Sequence, residues 1–280
     1  MSNLKFLKTG IAALLCGAAL SSQAALITFD FDVAGDNSGK TSQFIDPTQA
    51  VNGNGVFGVN GYFIETFDAA TAMNGFLDGT EGFNNPADSA GCAINSTGAG
   101  ITVGGTGSFE VRATGKSGVA AAPADDETCF AYTPAENGIL GSVELDYTNL
   151  LTNAGNILNT TVGINYFGFY WGSVDDYNDF SFFNGDDLIV EITGESLLDK
   201  LNGNSGNQLA DSSNVYVNVA FEAGESFTKV VINSTGVAGE VDNIVVGFDT
   251  PVPVSGPSTI ALSSLALLGM AGLRRRKIKS

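Results

Sequence analysis

Between residues 25 and 250 the chain is written in short alternating runs of apolar and polar side chains. Leu26-Ile27-Thr28-Phe29-Asp30-Phe31 opens the series. Ser108 to Arg112, Ser142 to Tyr147, Val215 to Phe221, Phe227 to Ile232 and Val241 to Phe248 continue it. A period of two puts successive side chains on opposite faces, so each run predicts a β-strand. In DFSFFNGDDLIVEIT, residues 179 to 193, two runs flank Asn184-Gly185. That pair predicts a hairpin with a tight type I′ turn, whose two central positions need positive φ. Only Glu195 to Leu201 has a helical pattern. Residues 33–61 and 68–100 show no period and are expected to be long loops. Many short strands divided by Gly, Asn and Asp turns, without a strict repeat, predict an all-β fold: an antiparallel β-sandwich, jelly-roll-like. No linker divides residues 25–250, which read as one domain.

The two ends follow other rules. Residues 1–24 have the form of a signal peptide: Lys5 and Lys8, an apolar run from Gly10 to Leu20, then Ser22-Gln23-Ala24. Small residues stand where a signal peptidase reads, so cleavage is expected between Ala24 and Ala25. The rival, a lipoprotein signal ending at Cys16, requires a small residue where Leu15 stands. Residues 251–280 begin with Pro251, Pro253 and Pro257, which disfavour helix. Ser258 to Leu273 then carries no charge. As a helix this stretch spans roughly 24 Å, short of a ~30 Å hydrocarbon core, and snorkelling arginines can cover part of the deficit. Arg274, Arg275, Arg276, Lys277 and Lys279 follow, and they keep that end cytoplasmic by the positive-inside rule. The pattern predicts a single membrane helix at about 258–273 with the body outside, making residues 25–250 an extracellular domain.

This tail resembles the PEP-CTERM sorting signal of Gram-negative bacteria: a short Pro-Glu-Pro-like motif, a weak membrane helix and a terminal Arg cluster. The matching residues are Val254-Ser255-Gly256-Pro257-Ser258-Thr259, then IALSSLALLGMAGL, then Arg274-Arg275-Arg276-Lys277. Gly256 stands where the family usually has Glu, a departure that bears on cutting more than on address. The resemblance implies an anchored precursor, processing by an exosortase, and delivery to the outer surface or an exopolysaccharide matrix. An ordinary C-terminal anchor is the plainer alternative.

Charge narrows the function. The chain has 12 basic and 30 acidic side chains. Apart from the ends, only Lys40, Arg112, Lys116, Lys200 and Lys229 face all 30 acids. Such a body repels nucleic acid and attracts cations. The sequence contains no His, which removes the Ser-His-Asp triad, the Cys-His pair and most zinc sites. An enzyme would have to use a carboxylate pair, and among 30 acids no pair singles itself out, so a non-enzyme is expected. After export, Cys92 and Cys129 remain. In an oxidising compartment they read as one disulfide, with two separate buried thiols as the alternative.

Three stretches carry candidate chemistry. Ala34-Gly35-Asp36-Asn37-Ser38-Gly39-Lys40-Thr41 loosely fits a phosphate loop, but no good helix follows and Asp36 would repel phosphate, so it reads as a turn. Residues 166–185, YFGFYWGSVDDYNDFSFFNG, hold the only tryptophan among many aromatics. Trp171, Tyr170, Asp175, Tyr177 and Asn178 are candidate glycan-binding residues: rings that stack on sugars, with polar partners for hydroxyls. Core aromatics plus a polar turn is the plain alternative. The segment also resembles the WGS-x-D-x-YN form found in a group of PEP-CTERM surface proteins. No cofactor is required, but structural calcium suits the acidic body. Glu240-Val241-Asp242-Asn243-Ile244 resembles the closing strand of jelly-roll carbohydrate-binding modules, where first and last strands pair and calcium often sits beside them. The candidate ligands are Asp30, Asp32, Glu240 and Asp242, against solvated surface acids. The expected protein is an exported, non-catalytic surface or matrix protein that associates with exopolysaccharide or with other surface proteins. A purely structural or adhesive protein is the second reading, and a carboxylate-based glycan-active enzyme the third.

Overall fold

The alternating runs pair into two antiparallel sheets. The protein is represented by a computed structural model that describes residues 25–45, 61–68, 91–135, 138, 140–222 and 225–249. The larger sheet is built around strand β9 (Gly163–Gly172). On one side β9 pairs with β12 (Val215–Ala220), and β12 pairs in turn with β1 (Leu26–Asp30). On the other side it pairs with the long β14 (Gly239–Asp249). The far edge of β14 is shared: its first residues pair with β7 (Phe130–Thr133), its last with β4 (Gly61–Glu65). Strand β6 (Glu110–Arg112) extends the sheet beyond β7. The smaller sheet runs β11 (Asp187–Thr193), β10 (Asn178–Asn184), β13 (Lys229–Ser234), β8 (Gly141–Asp146), β5 (Thr102–Gly105). A small hairpin joins β2 (Asp32–Val33) to β3 (Lys40–Thr41).

The sheets meet through aromatic rings. Phe167, Phe169 and Trp171 alternate along β9 and point at Phe180 and Phe182 of β10. Ring centroids lie 4.3 Å apart for Phe169–Phe180, 4.7 Å for Trp171–Phe180 and 5.3 Å for Phe167–Phe182. These rings and the Val, Ile and Leu side chains around them form one core. Its stability comes from removing apolar area from water, at roughly 25 cal/mol per Å2. The all-β sandwich is therefore the observed class.

Several details differ from the expectation. Strands β4, β5 and β7 and the helices α1 (Ser96–Ala99) and α2 (Thr148–Leu158) were not predicted. Helix α2 lacks a side-chain N-cap and contains Gly155, so its signals are weak; it is held by burying Leu150 and Ala154. The predicted helix at 195–201 is observed as α3 (Gly194–Leu201), where Thr193 accepts a hydrogen bond from the Ser196 N–H at 3.1 Å. The hairpin turn sits one residue later than expected. A register shift at Phe182/Phe183 lets Asn184 pair with Asp187, so the two turn residues are Gly185 and Asp186, with Gly185 at φ +61°. The first and last strands, β1 and β14, do not pair; β12 and β9 lie between them.

Cys92 and Cys129 form a disulfide, with Cα atoms 5.5 Å apart. Among the described residues no helix is long and apolar enough to cross a membrane. The expected signal peptide and the sorting signal, with its helix at 258–273, lie outside the described residues.

Candidate functional site

Strand β9 has a second face, and it is also buried. Tyr166, Gly168 and Tyr170 point away from the core, yet Tyr166 and Tyr170 are fully covered. The cover consists of two stretches of chain, residues 34–45 and 120–128. The layer between them and the sheet is polar. Tyr166 Oη donates to Asn218 Oδ1 at 2.6 Å, and Ser42 Oγ donates to the same atom at 2.7 Å. Tyr170 Oη donates to the Ala124 carbonyl at 2.6 Å, and Tyr216 Oη to the Asn243 carbonyl at 2.9 Å. Gly168 makes room for this network, because a Cβ there would lie 2.6 Å from Tyr166 Oη and 2.7 Å from Tyr216 Oη.

Part of the outer layer opens to solvent as a cleft of about 500 Å3. Residues 115–122 form one wall, and Ser173, Asp175, Tyr177, Gln208 and Glu240 complete it. Three of these come from the segment 166–185 that the sequence singled out. Tyr177 is half-buried, and its hydroxyl donates to the Val237 carbonyl at 2.7 Å. Asp175 accepts a hydrogen bond from Ser205 Oγ at 3.1 Å. Burial raises the Asp175 carboxyl above its usual range, against the lowering effect of its Tyr177 and Ser205 partners. Glu240 accepts from Ser173 Oγ at 2.7 Å and from the Ala121 N–H at 2.9 Å. Burial pushes the Glu240 carboxyl up to about 8, and the charge of Asp175 adds to the shift.

Of the expected glycan contacts, Asp175 and Tyr177 line this cleft, while Trp171, Tyr170 and Asn178 are fully buried. Trp171 belongs to the core between the sheets. Tyr170 lies beneath Ala124. Asn178 donates to the Ala238 carbonyl at 3.1 Å and accepts from Ser234 Oγ at 2.7 Å. None of the three presents a surface to a sugar. Alternation along β9 divides the aromatics between two faces, and both faces are buried.

The expected calcium ligands are also separated. Asp30 is taken up by Gln43 N (3.0 Å), Gln43 Nε2 (2.6 Å) and Asn218 Nδ2 (2.9 Å). Asp32 is exposed on β2. Glu240 faces the cleft, and Asp242 lies further along β14 in the closed part of the outer layer. Among the described residues no three His, Cys, Asp or Glu side chains stand gathered as a metal-binding group.

Around Asp242 the layer becomes strongly acidic. Residues 34–41, the sequence resembling a phosphate loop, form a turn in which Ala34 N–H donates to the Gly39 carbonyl at 2.8 Å. Ser38 forms an isolated bridge with Asp126, and Asn243 Nδ2 donates to Ser38 O at 2.9 Å. Asp68 bridges to Cys92, and its Oδ1 accepts from the Cys129 N–H at 3.2 Å. Asp36, Asp68 and Asp126 all act on Asp242 as like charges. Burial, reinforced by these charges, drives the Asp242 carboxyl well above its usual range; Asp126 rises to about 7 and Asp68 to about 6 for the same two reasons. No sequence period marks these residues, since they come from three loops and one strand.

No protein-family model, curated protein or solved structure matches this chain.

Proposed function

We propose that the protein is exported and sorted to the cell surface or matrix of a Gram-negative bacterium, where it associates with exopolysaccharide without catalysis. The cleft carries this reading. It gathers Ser173, Asp175 and Tyr177 from one short segment and sets a partly exposed phenol ring among hydroxyl and carboxyl groups. Such a surface can stack on a sugar ring and accept hydrogen bonds from its hydroxyls. A jelly-roll arrangement like that of carbohydrate-binding modules belongs to the same reading. The address rests on the tail: its resemblance to an exosortase-processed signal supports a membrane-anchored precursor that is later released.

The carboxyls of Asp175 and Glu240 share the cleft, as a glycosidase pair would. However, Glu240 is almost fully buried and both its oxygens are engaged, by Ser173 and by Ala121. A general acid must reach the leaving-group oxygen, so Glu240 serves here as a clamp between β14 and the cleft wall. The burial of Trp171 and Tyr170 favours the second reading, a structural or adhesive surface protein, because it removes the two strongest stacking platforms.

Affinity electrophoresis of the full chain through gels containing the producing cell's exopolysaccharide separates these readings. Retention that drops at least about tenfold in Tyr177→Ala, with no release of oligosaccharide, supports association through the cleft. An unretarded wild-type protein overturns it and leaves the structural reading.

A further inference from the structure

The chain enters and leaves the domain at one end of the sandwich, and the cleft lies at the other. The pairing registers show this. Leu26 on β1 stands opposite Ala220 on β12, Ala220 opposite Tyr166 on β9, and Tyr166 opposite Gly247 on β14. These four residues form one row across the large sheet, and the two chain ends of the domain, Ala25 and Asp249, lie beside it. With strands ~4.8 Å apart, the three steps from β1 to β14 bring those ends within roughly 15 Å of each other across the sheet.

The cleft residues belong to the opposite end. Ser173 follows the last residue of β9, and Asp175 and Tyr177 lie in the connection from there to β10. Glu240 pairs with Gly172. Gln208 lies in the connection that leads into Val215, which pairs with Trp171. Ala121 reaches the same end through its N–H, which donates to Glu240 at 2.9 Å. Strand β14 spans the distance: its 11 residues, at ~3.3 Å each, put about 33 Å between Gly239 and Asp249. The second sheet has the same polarity. Phe180 packs on Trp171 and Phe182 on Phe167, so β10 runs from the cleft end toward the chain ends. Its hairpin turn at Gly185 and Asp186 falls beside them.

This polarity matters for a protein held by its tail. Residues 250–257 reach at most ~28 Å when fully extended, less than the length of the sandwich, so the chain-end pole is held nearest the bilayer. The acidic body is repelled by an anionic lipid surface and does not lie down on it. We infer that the domain is mounted by its chain-end pole and receives polymer at the opposite pole, so that it binds exopolysaccharide while still anchored. Release by the exosortase then frees a complex already formed and is not required to form it. The inference rests on the polysaccharide and tail readings above.

The test places the exported chain, tail intact, in vesicles of phosphatidylcholine and phosphatidylglycerol. Cys92 and Cys129 are joined, so a single introduced cysteine takes a fluorophore. Energy transfer to an acceptor in the bilayer is compared between Asp186→Cys, at the hairpin turn, and Leu209→Cys, exposed beside the cleft residue Gln208. Transfer is expected to be stronger from position 186. In parallel, the wild-type chain in vesicles and in detergent is offered the producing cell's exopolysaccharide, and equal retention is expected. Equal or reversed transfer overturns the inference. So does a loss of about tenfold or more in the affinity of the vesicle-held chain relative to the detergent-held one. Retention of neither form overturns the polysaccharide reading instead, and the difference in transfer then decides the mounting by itself. A chain that does not stay on the vesicles overturns the anchored precursor and the inference with it.

Discussion

The two faces of strand β9 are both closed to water, yet they are closed by different physics. The inner face packs Phe167, Phe169 and Trp171 against the rings of the second sheet, and its contacts are apolar and interchangeable. The outer face packs Tyr166, Tyr170 and their neighbours against loops through directed hydrogen bonds and an unbalanced set of carboxylates. Burial alone therefore says little about what holds a region together. The inner face depends on volume, the outer face on partners.

The largest effect belongs to the inner face. Phe180→Ala removes a ring packed on both Phe169 and Trp171 and should cost ~3–5 kcal/mol in denaturant unfolding. A loss below about 1 kcal/mol would mean that the sheets do not meet through these rings. Next comes the outer corner: replacing Cys92 and Cys129 by Ser opens a link across 37 residues and should cost about 3–4 kcal/mol of unfolding free energy.

The pH dependence separates buried carboxyls from the apolar core. Burial raises Glu65 to about 7 and Glu240 to about 8. The folded state then holds protons that the unfolded state has released, so stability is fully present below about pH 4.5 and falls as pH rises to about 8. Unfolding free energies should show a decline of several kcal/mol across that window. Glu240→Gln should flatten the slope; an unchanged slope would remove Glu240 from the account.

Two smaller changes probe the outer hydrogen bonds. Gly168→Ala drives a methyl against Tyr166 and Tyr216 and should cost about 1–3 kcal/mol. Tyr170→Phe leaves the Ala124 carbonyl without its donor and should cost about 1–2 kcal/mol. Neither should shift the emission of Trp171, the only tryptophan, which reports on the inner face alone. A red shift in either variant would show that the two faces are not independent.

The inner face was legible because its signal is periodic. Phe167, Phe169 and Trp171 on one side and Tyr166 and Tyr170 on the other follow from alternation, and the disulfide followed from an isolated pair of cysteines. The class of fold followed from the same runs. The outer layer was not legible, because its cover comes from residues 34–45 and 120–128, which have no period. Asp30 and Asp242 looked equivalent as acids on strands; only the pairing order shows that two strands separate them and that Gln43 and Asn218 satisfy one but not the other. The cleft was half-visible: Ser173, Asp175 and Tyr177 lay in the segment that stood out, and Glu240 stood out only as a candidate calcium ligand, whereas residues 115–122 and Gln208 reach the cleft from loops without a period. Helix α2 escaped because tertiary burial of Leu150 and Ala154, rather than capping or propensity, holds it.

The most direct test of the two-face account is hydrogen exchange of the full chain, wild type beside Tyr170→Phe, read segment by segment. Losing the Tyr170 donor should speed exchange in residues 120–128 and leave β9 and β10 protected, because the outer cover is tied down by directed hydrogen bonds and the inner face by packing. Equal protection of the outer loops in both proteins, or a loss spread evenly through both sheets, would contradict it.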